Sequence, residues 1–273
     1  MKIKILTLFP NMFMQEIGES IIKRAIDNKV VEIEIIDFRK YSKDKSHHVD
    51  DTPCGGGAGM VLKCDILDEA INDNKGNNTH IILTTPQGRM YNQKIAEELS
   101  QKEELMIICG HYEGFDERIR SFVDDEISIG DFVLTGGELA ACVILDSVVR
   151  LIDNVINKNS KDDDSFSNGL LEYPQYTRPV EYKGMMVPDV LLSGNHKNIR
   201  EYRLKESLRK TLERRPDLLE KRILTDEESK YLKEIKEENK KWKLQVFYYI
   251  FQVYQVNMEL VQWERLHMIL LIF

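Results

Sequence analysis

The sequence predicts an α/β protein with a mostly parallel sheet, followed by a linker and a basic stretch with residues near helical spacing. Three observations carry this. Short runs rich in β-branched residues alternate with segments of helical periodicity from Lys2 to Leu151. Three of those runs end in glycine-bearing turns. Near Asn157 the chain turns polar and acidic, and beyond it apolar residues recur mainly at helical spacing.

Taken in order, Lys2–Pro10 (KIKILTLFP), Val30–Phe38 (VVEIEIIDF), Thr79–Pro86 (THIILTTP) and Glu104–Gly110 (ELMIICG) read as strands. Met12–Asn28, Cys64–Asn72, Asn92–Ser100 and Gly137–Leu151 read as helices, and Glu126–Ile129 as a further strand. Ligands of parallel sheets bind outside the carboxyl ends of the strands. Here those ends run into Thr85-Pro-Gln-Gly88, Gly110-His-Tyr-Glu-Gly114 and the turn Gly130–Gly137, three loops that look like one composite pocket.

The stretch DDTPCGGGAGM, Asp50–Met60, places four glycines in five positions. Glycine permits positive φ and close approach of backbone to a ligand at an entropic cost, so this loop is a hinge or a cradle. It lacks the Lys-Ser/Thr ending of a P-loop and the spacing of a dinucleotide fingerprint, which argues against an ATPase. His47-His48 with Asp50-Asp51 offers metal-ligand types, but adjacent residues point apart and no further cluster completes a shell. A polar loop is the heavier reading.

The chain has 273 residues, 42% hydrophobic and 31% charged, with a formal net charge of −8. The whole molecule therefore has no electrostatic reason to bind nucleic acid or an anionic membrane, and any such binding needs a local patch. One exists in Asn195–Arg222, with ten Lys/Arg against five Asp/Glu, while Ile199, Leu204, Leu208 and Leu212 keep helical spacing. Alone, such a run is more often a solvated face. The N-terminal apolar run is too short for a secretory signal, so a cytoplasmic location is expected. Cys54, Cys64, Cys109 and Cys142 lie far apart without zinc-site spacing and are expected to be reduced.

Between the two regions, NKNSKDDDSFSNG reads as an exposed linker. Its carboxylates at Asp162–Asp164 gain chemistry only if the linker folds over a substrate, where Arg150 could face both. From Trp242 the chain becomes aromatic and aliphatic, interrupted by polar residues that make a membrane span unconvincing. This segment, 242–273, reads as an addition to the fold and as an aggregation liability.

In order and spacing, LTLFP, VDDTPCGGGAGM, TTPQGR, CGHYEGFDER, SIGDFVLTGGELA, DSFSNGLLEYPQYTRP and VPDVLLSGNH resemble the bacterial tRNA (guanine-N1)-methyltransferase family, from residue 1 to about residue 240. The resemblance implies a SPOUT-class catalytic domain over residues 1–159 with a deep trefoil knot. It further implies a flexible linker over 160–169, a helical tRNA-binding domain over 170–241, and a homodimer with interface active sites. The cofactor it implies is S-adenosylmethionine, held by Leu83, Thr84, Pro86, Gly110, Tyr112, Glu113, Gly114, Ile129, Gly130, Asp131, Phe132, Val133, Leu134, Gly136 and Gly137. It also implies magnesium, near Glu113 and Asp164, directly or through other groups.

The implied reaction methylates the guanine immediately 3′ of the anticodon. Guanine N1 is protonated at neutral pH, so a positioned carboxylate must take that proton. By resemblance Asp164, from the partner subunit, is that base, and Arg150 stabilises charge growing toward O6. Asp50 and Gly59 would receive the base, while Ser165, His196, Arg203, Arg209 and Arg214 would contact the tRNA. Cys54, Ala140 and Tyr202 depart from the Tyr, Pro and Trp usual in the family. Two alternatives stay open: a related knotted methyltransferase for another RNA, and an RNA-binding protein with an inactive cofactor pocket.

Overall fold

Strand β1 (Lys2–Thr7) is buried on both faces from Ile3 onward, which is the mark of a strand inside a parallel sheet. The computed structural model describes residues 1–156 and 164–255, and the chain divides into two units, Met1–Asp162 and Asp163–Phe273. In the first unit β1 is joined by β2 (Glu32–Asp37), β5 (Thr79–Met90), β6 (Glu104–Ile108) and β7 (Asp125–Ser128). All pair in parallel, in the order β2-β1-β6-β5-β7. A two-residue ladder of β3 (Asp50–Asp51) and β4 (Val61–Leu62) flanks the glycine loop.

Strand side chains alternate between faces, and the core divides accordingly. Ile3, Ile5, Ile82, Leu105 and Ile107 pack with α2 (Ser20–Asp27), α4 (Gln93–Ser100) and α5 (Glu138–Val149) through Ile22, Ile95, Leu99, Ile144 and Val148. Leu6, Ile81, Leu83, Met106 and Ile108 pack with α3 (Cys64–Asn74) through Ile66, Leu67 and Ile71. Each such side chain contributes about 1.5–3 kcal/mol by burial.

The same alternation sends Lys4 to the α3 face, where it is 8% exposed. Its ammonium sits 2.9 Å from Glu104 and donates to the Asn74 carbonyl. Glu104 also accepts from the Thr79 hydroxyl at 2.7 Å. Burial pushes the Glu104 carboxyl upward, but the Thr79 and Lys4 hydrogen bonds outweigh it and leave it below the ordinary value.

Two expectations from sequence are corrected. Met12–Asn28 is not one helix: a 3-10 turn (Pro10–Phe13) leads to α1 (Met14–Gly18), and α2 starts after an extended Glu19. Phe13 and Ile22 are both buried against the sheet. They are nine residues apart, about two and a half turns, so an unbroken helix would put them on opposite sides. Strand β5 also runs beyond Pro86 to Met90, with Thr84 and Arg89 both paired to Ile127 and residues 85–88 looped out between them.

The second unit holds the hairpin β8 (Glu181–Tyr182) and β9 (Met185–Met186) and the helices α6 (Asp189–Leu192), α7 (His196–Arg214), α8 (Pro216–Glu220) and α9 (Asp226–Gln255). Leu170, Leu208, Leu232 and Ile235 form its core. A capping box starts α9: Thr225 N–H donates to the Glu228 carboxylate at 2.8 Å and Glu228 N–H to the Thr225 hydroxyl at 3.2 Å. Arg200, Lys205 and Arg209 on α7 pair with Glu227, Glu234 and Glu238 on α9 at 2.8–3.2 Å. Within the segment expected to be an apolar addition, α9 continues to Gln255 and leaves Trp242, Leu244, Tyr248 and Tyr249 exposed. Residues 256–273 of that segment and 157–163 of the expected linker lie outside the described residues.

Replacing Lys4 with Met leaves a half-buried carboxylate without its cation, so urea unfolding should show a loss of about 2 kcal/mol. The stabilisation tied to Glu104 is present above the unfolded carboxyl value of about 4.3 and is lost as pH falls through the lower folded value. Urea unfolding in acid should therefore separate parent and variant less than at neutral pH. Ending the chain after Lys241 should lower light scattering and leave the unfolding midpoint unchanged, because Trp242, Leu244, Tyr248 and Tyr249 are exposed.

Candidate active site

The contact that shapes the site is between two loops from different strand ends. Gly137 N–H donates to the Gly110 carbonyl at 2.8 Å, and Gly136 bridges His111 in antiparallel fashion. A Cβ on Gly137 would lie 2.7 Å from Gly110 N and 2.9 Å from Cys109 Cα, and would overlap the Thr84 hydroxyl. Thr84 is itself fixed by donating to the Ile108 carbonyl at 2.9 Å. Only glycine allows three chain segments to meet this closely.

The glycine-rich loop is stitched to the same place. Glu113 N–H donates to the Met60 carbonyl and Leu62 N–H to the Gly114 carbonyl, both at 2.9 Å. Gly59 has φ +80°, and the space a Cβ would fill is occupied by the Glu113 side chain. Asp50 lies close enough to Tyr112 to act on its phenol, which is raised above its ordinary value first by burial and then by the Asp50 charge. Asp50, Gly59, Tyr112 and Glu113, which the sequence separates by up to 63 positions, are thus neighbours.

These loops enclose a cavity of about 350 Å³ at the carboxyl ends of β5, β6 and β7. That is a suitable size for a small ligand. Of the residues expected to hold a cofactor, all but Leu83 and Asp131 line it. Leu83 is fully buried in the α3 side of the core, because strand alternation turns it away, and Asp131 is exposed. His111, Phe115, Glu117, Arg120 and Ala140 also line it. The His111 ring packs between Phe9 and Tyr112, tilted to one and edge-on to the other with centroids 4.9 and 4.8 Å away, and its Nδ1 is buried without a hydrogen-bond partner among the described residues. Arg120 reaches Gln87 at 2.6 Å and Glu117 at 2.9 Å, and also pairs with Glu126. The signal for His111 was its place inside GHYEG, whereas Arg120 sits in an unmarked 3-10 turn (Glu117–Phe122) that nothing local connects to the pocket.

A thiolate nucleophile is not what this site offers. Burial first, then the Glu138 carboxylate, pushes the Cys109 thiol well up, and burial pushes Cys142 up to about 11. Arg150 caps α5 at its carboxyl end. The other expected residues belong to the second unit. Asp164 accepts from Ser167 N–H through its carbonyl, the Ser165 hydroxyl accepts from Glu172 N–H at 3.0 Å, and His196 opens α7. Arg209 is engaged by Glu206 and Glu238, whereas Arg214 forms no ion pair among the described residues.

A parallel α/β scaffold with a backbone-lined cavity at its strand ends defines an enzyme class that holds a small cofactor in crossed loops. The chain belongs to the family described as tRNA (Guanine-1)-methyltransferase TrmD, whose model matches residues 1–221. It is 57% identical over 239 residues to the tRNA (guanine-N(1)-)-methyltransferase of Streptococcus uberis, covering 87% of this chain and all of that one. It is 56% identical over 242 residues to proteins of the same name from Bacillus cereus and Bacillus anthracis, covering 87% of this chain and 99% of theirs.

Gly137→Ala should cost about 1–3 kcal/mol through overpacking and close the cavity. Thermal unfolding should show the loss, with no measurable heat of S-adenosylmethionine binding.

Proposed function

We propose that this chain transfers a methyl group from S-adenosylmethionine to N1 of the guanine immediately 3′ of the anticodon in tRNA. The observation that carries this reading is the crossed-loop cavity in a chain of this family. The cavity suits the cofactor: Gly110 and Gly137 let the loops meet without side chains between them, and the segment from Ile129 to Leu134 brings backbone amides and carbonyls to the wall for an adenine edge. When bound, the cofactor supplies an electrophilic methyl on a sulfonium.

The remaining work falls to this chain's own residues. Asp164, from the partner subunit, takes the N1 proton. Arg150 stabilises the charge that develops at O6. Asp50 and Gly59 receive the base, and Glu113 lies beside them. Among the described residues no group of three His, Cys, Asp or Glu side chains gathers to hold a metal, and we derive no step from magnesium. Leu139 and Val143 lie one turn apart on α5 and are exposed, as are Met12 and Met14 nearby in the chain's first helical turns. This apolar surface supports a homodimer. No helix among the described residues is long and apolar enough to cross a membrane. We read the passage of the 130–137 segment against the 110–114 loop as the family's deep trefoil knot.

Incubation with labelled S-adenosylmethionine should label a tRNA transcript with guanine 3′ of the anticodon and leave an adenine counterpart unlabelled; label on neither, from protein that binds the cofactor, would favour an inactive RNA-binding role. Asp164→Asn should lower kcat by about 10²–10⁴-fold and keep cofactor affinity. Arg214→Ala should raise the KM for tRNA more at low salt than at high salt, with cofactor affinity unchanged.

A further inference from the structure

The second unit contains its own cavity, of about 500 Å³, between the segment Tyr173–Arg178, the base of the β8–β9 hairpin and the start of α7. Its floor is aliphatic, with Val180, Val187, Leu191 and Ile199, and its walls carry Tyr173, Tyr176, Arg178 and Arg203. No Asp or Glu lines it, in a chain whose formal net charge is −8.

The two arginines of the cavity differ from five paired cations of this unit. Arg200, Lys205, Arg209, Arg215 and Arg222 each lie within 3.3 Å of a carboxylate. Arg178 and Arg203 have no carboxylate partner among the described residues. The Arg203 guanidinium instead lies 4.7 Å from the centre of the Tyr173 ring, and its Nε is buried with no hydrogen-bond partner. A buried donor left unsatisfied is costly, and the described residues supply no acceptor for it. Tyr176 lines the cavity and is 47% exposed, so its ring face is open to a ligand.

We propose that this cavity receives one unpaired nucleotide of the RNA substrate, its base against Tyr176 and the aliphatic floor and its phosphate on Arg178 and Arg203. The ligand must bring both an anionic oxygen and a flat, weakly polar face. A nucleotide of a single-stranded loop presents both, and stacking on a phenol with a guanidinium nearby is sequence-tolerant. This inference rests on the tRNA reading above and adds a second anchoring point to it, distinct from the cavity for the methyl donor.

The test uses the full chain and an unmodified tRNA transcript, with affinity measured at several salt concentrations. Arg178→Gln and Arg203→Gln should each weaken tRNA binding about tenfold and reduce the salt slope by about one. Tyr176→Ala should weaken it about tenfold with the salt slope kept, and Tyr176→Phe should restore binding. Cofactor affinity and circular dichroism should match the parent in all four. A benzophenone amino acid in place of Tyr176 should cross-link to the RNA. Parent-like tRNA affinity in folded Arg178→Gln and Tyr176→Ala variants, or cross-linking to a second copy of the chain instead of RNA, overturns the proposal. Failure of the functional reading looks different: the parent would methylate no tRNA, while RNA binding would still depend on Arg178 and Tyr176.

Discussion

The close approach of Gly137 to Gly110 is the constraint on which the rest of the first unit depends. Its 2.8 Å hydrogen bond ties the entry of α5 to the end of β6, and Thr84 at the end of β5 closes the same contact. Because the segments meet without side chains between them, backbone amides and carbonyls can share the wall with side chains such as Tyr112, Glu113 and Phe132. Such a wall is rigid and offers donors and acceptors at fixed positions, so little ordering remains to be done when a ligand enters. The buried Glu138 holds this junction from the other side, accepting from the Thr7 hydroxyl at 2.8 Å.

The strands were legible because each is a dense apolar run, and a strand covered on both faces needs little else. The glycine turns were legible as a set, since three at three strand ends have few structural explanations other than a shared pocket. What could not be read locally depends on partners far along the chain. The break at Glu19 follows from where Phe13 and Ile22 must both point, which is a property of the sheet. The extension of β5 past Pro86 requires β7 as a template, because proline and glycine argue against a strand when taken alone. The Leu83 side chain lies off the cavity for a related reason: one residue before Thr84, it faces the opposite side of the sheet.

The basic run on α7 shows the same limit in its charges. By composition it is a positive patch, but much of it is matched by carboxylates of α9. Exposed pairs of this kind each contribute little to stability, typically under about 1 kcal/mol. Their larger effect is to decide which cations remain available. Arg178, Arg203 and Arg214 are arginines among those cations that the carboxylates leave unmatched, and no count of residues in a window distinguishes them.

The ladder between α7 and α9 has a consequence for how a polyanion would be held and let go. A phosphate that claims Arg200, Lys205 or Arg209 displaces a carboxylate already in place, so the contact is an ion exchange within the protein and carries a much smaller net gain than a bare cation would. A surface built this way discriminates poorly on charge alone and binds briefly. That suits a catalyst which must release each long RNA after altering a single atom of it.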